Sequence, residues 1–489
     1  MKKLIFLLVV SLMFVLSAHA GFLHNGAPLG NELNQKEYPD SNEVEPRITD
    51  ENESSLTIKG GVENTLDVTL EDCIKYALGN NPRIQSAMQD VFASDSRLRQ
   101  TWSAYFPQFS WQTGYSKIKQ LQLSDAFGEN LIFNYWLLGQ ISVSQMLYDF
   151  GVTQNQATIR KLDNQGYKII LTGTVNDVVY KVKDAYYNLQ YAIEAKRVAE
   201  DTVKKYESFY EQAKAFYKVG AKPKVDVTIA EVNLSNAKLT FIQAENAVDI
   251  AMAKLNNTMG LPYTNKYIVS EVLKYDACDI SLEKAVDVTQ SSRPEFLLAD
   301  VKVEQAKQNL KLVKKSYFPQ ITAEGQYQVG GAHPTSNTGY NFGGYLNFPT
   351  INGMLIKHEI REANALYSKQ QSEAINTKNN IYYEVQDAYY KLTEKRKKIP
   401  VAFLNMKQAK ENYDLSAGRY KVGVGNPIEF RDAQVQYENA QLTYYKTLYE
   451  YNSSRANLEK SMGRNIMAEE VELQIENKSK RKKHHKNIT

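Results

Sequence analysis

Six histidines, two cysteines and a few acids at helix starts are the residues from which a catalytic or metal site would have to be built. His19, His24, His333, His358, His484 and His485 keep no metal-ligand or acid–base spacing with Asp, Glu or Cys. No glycine loop of the kind that cradles phosphate is present. Cys73 and Cys278 could bridge in an oxidising compartment, but spacing fixes no pairing, and two separately buried cysteines is the simpler reading. That leaves three carboxylates near chain reversals, Asp226, Glu429 and Asp432. Asp226 and Glu429 fall in the first turn of expected helices, where a carboxylate stabilises the positive end of the helix dipole by about 0.3–1 kcal/mol whatever its function. Asp432 lies one turn further in and has less use as a cap. Gly220 and Gly423 are most simply the reversal residues themselves, needing φ > 0. The residues predict no enzyme, no cofactor and no metal.

The elements around these positions come from composition and period. The chain has 489 residues, 43% hydrophobic and 23% charged, with 59 Lys+Arg against 55 Asp+Glu and a net charge of +4. A mean hydropathy of -0.48 excludes a polytopic helical membrane protein, because each span needs about 20 apolar residues. Charge this near balance argues against a nucleic-acid binder, which shows a strongly basic face. Lys2 and Lys3 precede an apolar run from Leu4 to Leu16, and Ser17-Ala18-His19-Ala20 follows as a cleavage pattern, so residues 1–20 are expected to be a cleaved signal peptide. No later stretch is long enough for a membrane helix, so a membrane part would have to use strands. Residues 21–66, with nine acids and three bases, read as a loosely ordered lead-in. Residues 467–489 form a basic, solvated tail that supplies the positive sign of the net charge.

Between these ends the chain is one unit written twice. Leu70-Glu71, Pro82 and Tyr105-Phe106-Pro107-Gln108 recur as Leu282-Glu283, Pro294 and Tyr317-Phe318-Pro319-Gln320 at an offset of 212. Asp184-Ala185-Tyr186-Tyr187, Tyr217-Lys218-Val219-Gly220 and Met259-Gly260 recur at an offset of 203. The first copy therefore holds nine extra residues between Gln108 and Asp184, expected in a loop. The repeats are read as 67–270 and 271–466.

Each copy predicts the same elements. A helix from about Glu71 to Tyr105 breaks at Pro82, and beyond Pro107 the period changes from 3.6 to 2. Phe109, Trp111, Thr113 and Tyr115 alternate with polar neighbours, and Ile141 and Val143 do so on the return. Strands are expected at about 107–117 and 138–148, then at about 319–329 and 340–348. Their length suits an outer membrane and their two faces suit a water-filled barrel. Four strands cannot close one, and an open edge would leave backbone polar groups unsatisfied in lipid. Long helices follow at about 151–218 and 354–418, with return helices at about 225–258 and 428–461. From Val175 to Tyr217 thirteen apolar or small residues recur with a mean spacing of 3.5, the period of coiled-coil packing. Pro400 is expected to bend the second long helix rather than split it.

Taken in this order and duplicated, the Leu70-Glu71 opening, the Tyr-Phe-Pro-Gln entries, Gln145-Met146-Leu147-Tyr148-Asp149-Phe150-Gly151 and the Tyr-Lys-Val-Gly turns resemble the TolC family of outer membrane efflux proteins. The resemblance implies a mainly α protein with a membrane β-barrel portion. It implies a homotrimer whose twelve strands close one barrel, continued by a twelve-helix periplasmic α-barrel. It implies the exit duct of a tripartite efflux pump or type I secretion system, seated in outer membrane lipid. The partners implied are a periplasmic adaptor and an inner membrane pump, with no nucleic acid. Gating would lie at the helical tips. Asp226 and Tyr420 map to the family's tip contact, Glu429 and Asp432 to its pore-constriction acids, and Tyr217, Gly220 and Gly423 to the adaptor-docking turns. Six such carboxylates around a three-fold axis would favour cations. The chain departs from the family's second link, with Gly425 where an arginine stands and Val225 where its threonine partner stands. The alternative is a periplasmic structural or adaptor coiled-coil protein without a pore, but adaptors carry one long hairpin and this chain carries two.

Overall fold

In a computed structural model of the chain the described residues are 68–124, 130–262, 267–269, 273–275, 280–331, 337–349 and 354–464. The expected signal peptide, the acidic lead-in, the basic tail and Cys278 lie outside them.

The first copy opens with α1 (Leu70–Asn80) and α2 (Pro82–Trp102). Thr69 and Asp72 cap α1 reciprocally, the Asp72 amide donating to the Thr69 hydroxyl and the Thr69 amide to the Asp72 carboxylate, both at 3.3 Å. Asn81 then caps α2 and Pro82 occupies its first turn, so the break at Pro82 is two helices meeting at one residue. Strands β1 (Gln108–Ser124) and β2 (Asn130–Tyr148) follow, then α3 (Val152–Lys218) and α4 (Lys224–Met259). The second copy repeats the order as α5 (Leu282–Ser292), α6 (Pro294–Lys315), β3 (Gln320–Gly331), β4 (Asn337–Asn347), α7 (Leu355–Lys421) and α8 (Pro427–Ser461).

Both long helices have 67 residues and both ends keep the 203 offset, so the nine extra residues precede Val152. They were expected in a loop; instead paired backbone carries them, since β1 and β2 have 17 and 19 residues against 12 and 11 in β3 and β4. The sequence pattern missed this extension because alternation marks only the height at which one face meets lipid, whereas backbone pairing continues beyond it. Helix α7 runs unbroken through Pro400, which sits at an exposed position.

The helices form four columns. α3 and α7 are continuous, while α2 meets the end of α4 and α6 meets the end of α8. The two joints are built alike. The Asn81 amide donates to the Thr258 carbonyl at 2.7 Å, and the Arg293 guanidinium donates to the Ser461 carbonyl at 2.9 Å. Asn81 and Arg293 are equivalent at offset 212, and Thr258 and Ser461 at offset 203. Gly260 ends α4 at φ 78°, where a Cβ would stand 3.0 Å from the Asn80 carbonyl, so the joint requires a glycine. Of the thirteen stripe residues on α3, eight are buried and only Tyr217 is exposed. Val178, Val182, Ala185 and Leu189 pack with Cys73, Ile74, Leu255 and Met259, and Val385, Ala388, Leu392, Leu458 and Met462 build the matching core of the second copy. Cys73 and its equivalent Ala285 are both fully buried, which marks the position as one for a small core side chain.

The four strands form one antiparallel sheet in chain order, with β1 and β4 at its open edges. Its register separates two faces. Trp111, Ile141, Tyr327 and Tyr340 lie in one row, with Phe109, Val143, Gly325 and Phe342 in the next. The intervening rows are Ser110–Ser142–Gln326–Asn341 and Gln112–Gln140–Gln328–Gly339. This is the apolar face and polar face that the alternation predicted.

Strand passes to helix through the motifs that recur in the sequence. The Tyr105 hydroxyl donates to Asp149 at 3.0 Å, and the Gly151 and Thr153 amides donate to the same carboxylate at 3.0 and 2.6 Å. Burial alone would raise the Asp149 pKa, but the bonds from Thr153, Tyr105 and Gly151 outweigh it and hold the carboxyl below its usual range. Phe150 stacks on Phe318 of the second copy's motif at 5.4 Å.

Candidate functional site

The two helical hairpins end in matching turns. At the end of α3, Gly220 takes φ 73° and the Ala221 amide returns to the Phe216 carbonyl at 2.9 Å. At the end of α7, Gly423 takes φ 83° and the Val424 amide returns to the Arg419 carbonyl at 3.2 Å. Both are left-handed caps in which glycine avoids a Cβ clash and the last carbonyls find donors. The turns raise Tyr217, Val219, Val422 and Val424 into solvent, an apolar tip with no covering partner among the described residues.

Asp226 and Tyr420 come together, though not by a hydrogen bond. Asp226 is largely buried in the first turn of α4 and Tyr420, only 2% exposed, lies one residue from the end of α7. The Tyr420 pKa is raised, first by burial and then by the negative charge of Asp226, so the two groups feel each other directly. Its hydroxyl is nevertheless buried with no hydrogen-bond partner among the described residues. What holds Tyr420 is aromatic packing. Phe209 on α3 lies 4.8 Å from its ring and Phe430 on α8 5.7 Å, with Phe216 at 6.4 Å and the Lys222 ammonium 5.4 Å above the ring face. Phe209 and Phe430 themselves stack at 4.9 Å. One ring of α7 thus ties the second hairpin to the first.

A second layer lies one heptad away from the turns. Tyr413 and Tyr437 stack at 5.7 Å, and the Lys205 ammonium sits 5.0 Å from both rings. Half-buried beside them is Glu438, which accepts hydrogen bonds from the Gln434 amide at 2.9 Å and from the Thr202 hydroxyl. Burial pushes the Glu438 carboxyl up, and those two bonds and Lys205 only partly offset it.

The expected pore acids are both ion-paired. Glu429 binds Arg419 at 2.8 Å and Asp432 binds Arg431 at 2.9 Å, all four side chains being largely exposed. Sequence reasoning missed these arginines, and it missed the aromatic lock. A signal for the lock was present, because Phe209 and Phe216, Tyr413 and Tyr420, and Phe430 and Tyr437 are each seven residues apart. The structure also accounts for the glycine at 425, where the resemblance implies an arginine. A Cβ on Gly425 would stand 2.6 Å from the Tyr420 amide nitrogen, so the turn has no room for an arginine there, and Val225 is exposed.

Among the described residues no His, Cys, Asp and Glu group could hold a metal, and no helix is long and apolar enough to cross a membrane. Residues 73–261 and 285–464 match the family model described as outer membrane efflux protein. Over 422 residues the chain is 25% identical to the probable efflux pump outer membrane protein TtgC of Pseudomonas putida, covering 81% of this chain and 83% of that one. It is 22% identical over 404 residues to toxin and drug export protein A of Aggregatibacter actinomycetemcomitans, covering 78% and 83%. The fold is similar to the crystal structure of the Campylobacter jejuni CmeC outer membrane channel, with a TM-score of 0.71 at 16% identity over 85% of this chain and 93% of that one.

Proposed function

The chain belongs to the outer membrane efflux protein family, and from that membership we propose how its parts make a gated duct. It is an outer membrane efflux channel of a Gram-negative bacterium and not an enzyme. The observation that carries the assembly is the open sheet. β1 and β4 expose unpaired backbone edges on a sheet with a lipid-compatible face, and such edges are tolerated in a bilayer only when other chains close them. Three copies bring twelve strands into one barrel and twelve helical columns into one periplasmic wall. Exposed apolar residues on the outer columns, among them Phe92 and Trp102 on α2 and Leu366, Ile375 and Tyr383 on α7, supply the lateral contact.

At the tips, the exposed Tyr217 and the Gly220 and Gly423 turns are the surface for a periplasmic adaptor, which links the duct to an inner membrane pump. The gate is the packing of Tyr420 between Phe209 and Phe430, with Asp226 acting through its charge. Opening swings α7 and α8 away from α3 and takes this ring out of its socket. Glu429 and Asp432 line the constriction as members of ion pairs, so that ring carries little net charge. Purified protein reconstituted in a planar bilayer should pass ions without nucleotide or other energy source, in discrete steps. A protein that inserts and never conducts overturns the duct reading.

A further inference from the structure

The register of the sheet puts one charge where nothing balances it. On the polar face, Gln108 pairs with Ser144, Ser144 with Glu324, and Glu324 with Gly343. One neighbouring row is Ser110, Ser142, Gln326 and Asn341, and the other is Met146, Thr322 and Tyr345, so neither carries a charge. Over the height at which all four strands pair, residues 108–116, 136–148, 320–331 and 337–347, Glu324 is the only ionisable acid or base other than tyrosine. Its side chain is exposed, and no ion pair to it occurs among the described residues. The nearest lysine of these strands, Lys117, pairs with Asn134 beyond the end of β3 and lies on the same strand face as Tyr115 and Trp111, the face opposite Glu324.

This contrasts with the tip. There Glu429 and Asp432 each hold an arginine of their own chain at 2.8 and 2.9 Å, so their long-range field is largely cancelled. An uncompensated carboxylate facing a water-filled bore acts on every passing ion within about a Debye length, roughly 10 Å at 0.1 M salt. Glu324 stands four residues into β3, about 13 Å above the strand start, where the wall is rigid hydrogen-bonded sheet.

We propose that Glu324 sets the charge selectivity of the duct, its copies forming a carboxylate ring on the polar face of the barrel that favours cations over anions at the exit. The serine and amide row on one side of it and the Met146, Thr322 and Tyr345 row on the other are uncharged and add no charge preference of their own. Passive selectivity is therefore a property of the membrane portion, while the tip decides whether the path is open. This rests on the duct reading above.

The test is the reversal potential of the reconstituted channel under a tenfold potassium chloride gradient, read at about 10 mM and at 1 M mean salt. The wild-type protein should prefer potassium, more so at low salt. Glu324→Gln should bring the reversal potential close to zero with single-channel conductance retained, and Glu324→Lys should reverse its sign. Glu200→Gln with Lys204→Gln, which removes an exposed ion pair of α3 as a neutral unit, should leave it in place. A Glu324→Gln channel that conducts with the wild-type reversal potential overturns the proposal and leaves the duct standing, as does a wild-type channel with no cation preference. Absence of conductance in the wild-type protein overturns both.

Discussion

Replacing Tyr420 separates two ways in which a tyrosine can hold a gate. If a hydrogen bond from its hydroxyl to Asp226 were the lock, Tyr420→Phe would break it and the channel would open. In the structure the hydroxyl is buried without a partner, while the ring contacts Phe209, Phe430 and Phe216. A buried, unsatisfied hydroxyl costs about 1–3 kcal/mol, so removing it should leave the closed state unchanged or more stable by roughly 1 kcal/mol per tip. Tyr420→Ala removes the ring itself, and truncating a buried aromatic costs about 3–5 kcal/mol. Even about 3 kcal/mol per tip moves a closed-to-open ratio by more than a hundredfold, since each 1.4 kcal/mol is tenfold. Single-channel recordings of the two variants in planar bilayers should therefore show wild-type conductance for Tyr420→Phe and a large conductance for Tyr420→Ala. Equal opening of both would refute packing as the lock and return it to the hydroxyl.

Three further outcomes follow from other contacts. Glu438 has its pKa raised by burial, so its contribution to the α3–α8 seam is present below the ordinary carboxylate value and is lost as pH rises through the raised one. Protection factors of the amides in residues 430–445, with the intrinsic pH dependence of exchange divided out, should be higher at pH 5 than at pH 7, and Glu438→Gln should abolish that difference; a seam that loosens on acidification contradicts the assignment. Gly425→Ala should disrupt the second turn, because the new methyl meets the Tyr420 backbone at 2.6 and 2.8 Å, and the variant should conduct more than wild type. Arg293, buried at the α6–α8 joint, donates to Glu295, Glu384 and the Ser461 carbonyl at 3.0, 2.5 and 2.9 Å. Arg293→Met should cost about 2–3 kcal/mol and lower the thermal midpoint, and an unchanged midpoint would show that the joint is held by its apolar contacts alone.

The fold was legible where one physical constraint wrote itself directly into the sequence. A strand with lipid on one side and water on the other must alternate, and Phe109 to Tyr115 and Ile321 to Val329 do. A long helix seam must repeat near 3.5 residues, and Val178 to Ala213 does. What stayed hidden depends on which surfaces meet. Phe209 and Phe430 have the spacing of core residues, and nothing in their own hairpins says that the ring between them arrives from α7. Arg419 and Arg431 sit in a charged stretch where any of several acids could have been the partner. The extension of β1 past Lys117 was invisible because Lys117 and Lys119 interrupt the apolar alternation in the sequence while backbone pairing continues.

The central claim is that one chain supplies only a sector of a closed wall. The most direct measurement is the mass of the protein particle extracted from the outer membrane in mild detergent, by light scattering corrected for bound detergent. Three chains per particle is the predicted result. A monodisperse monomer, with β1 and β4 left unpaired, would contradict the account.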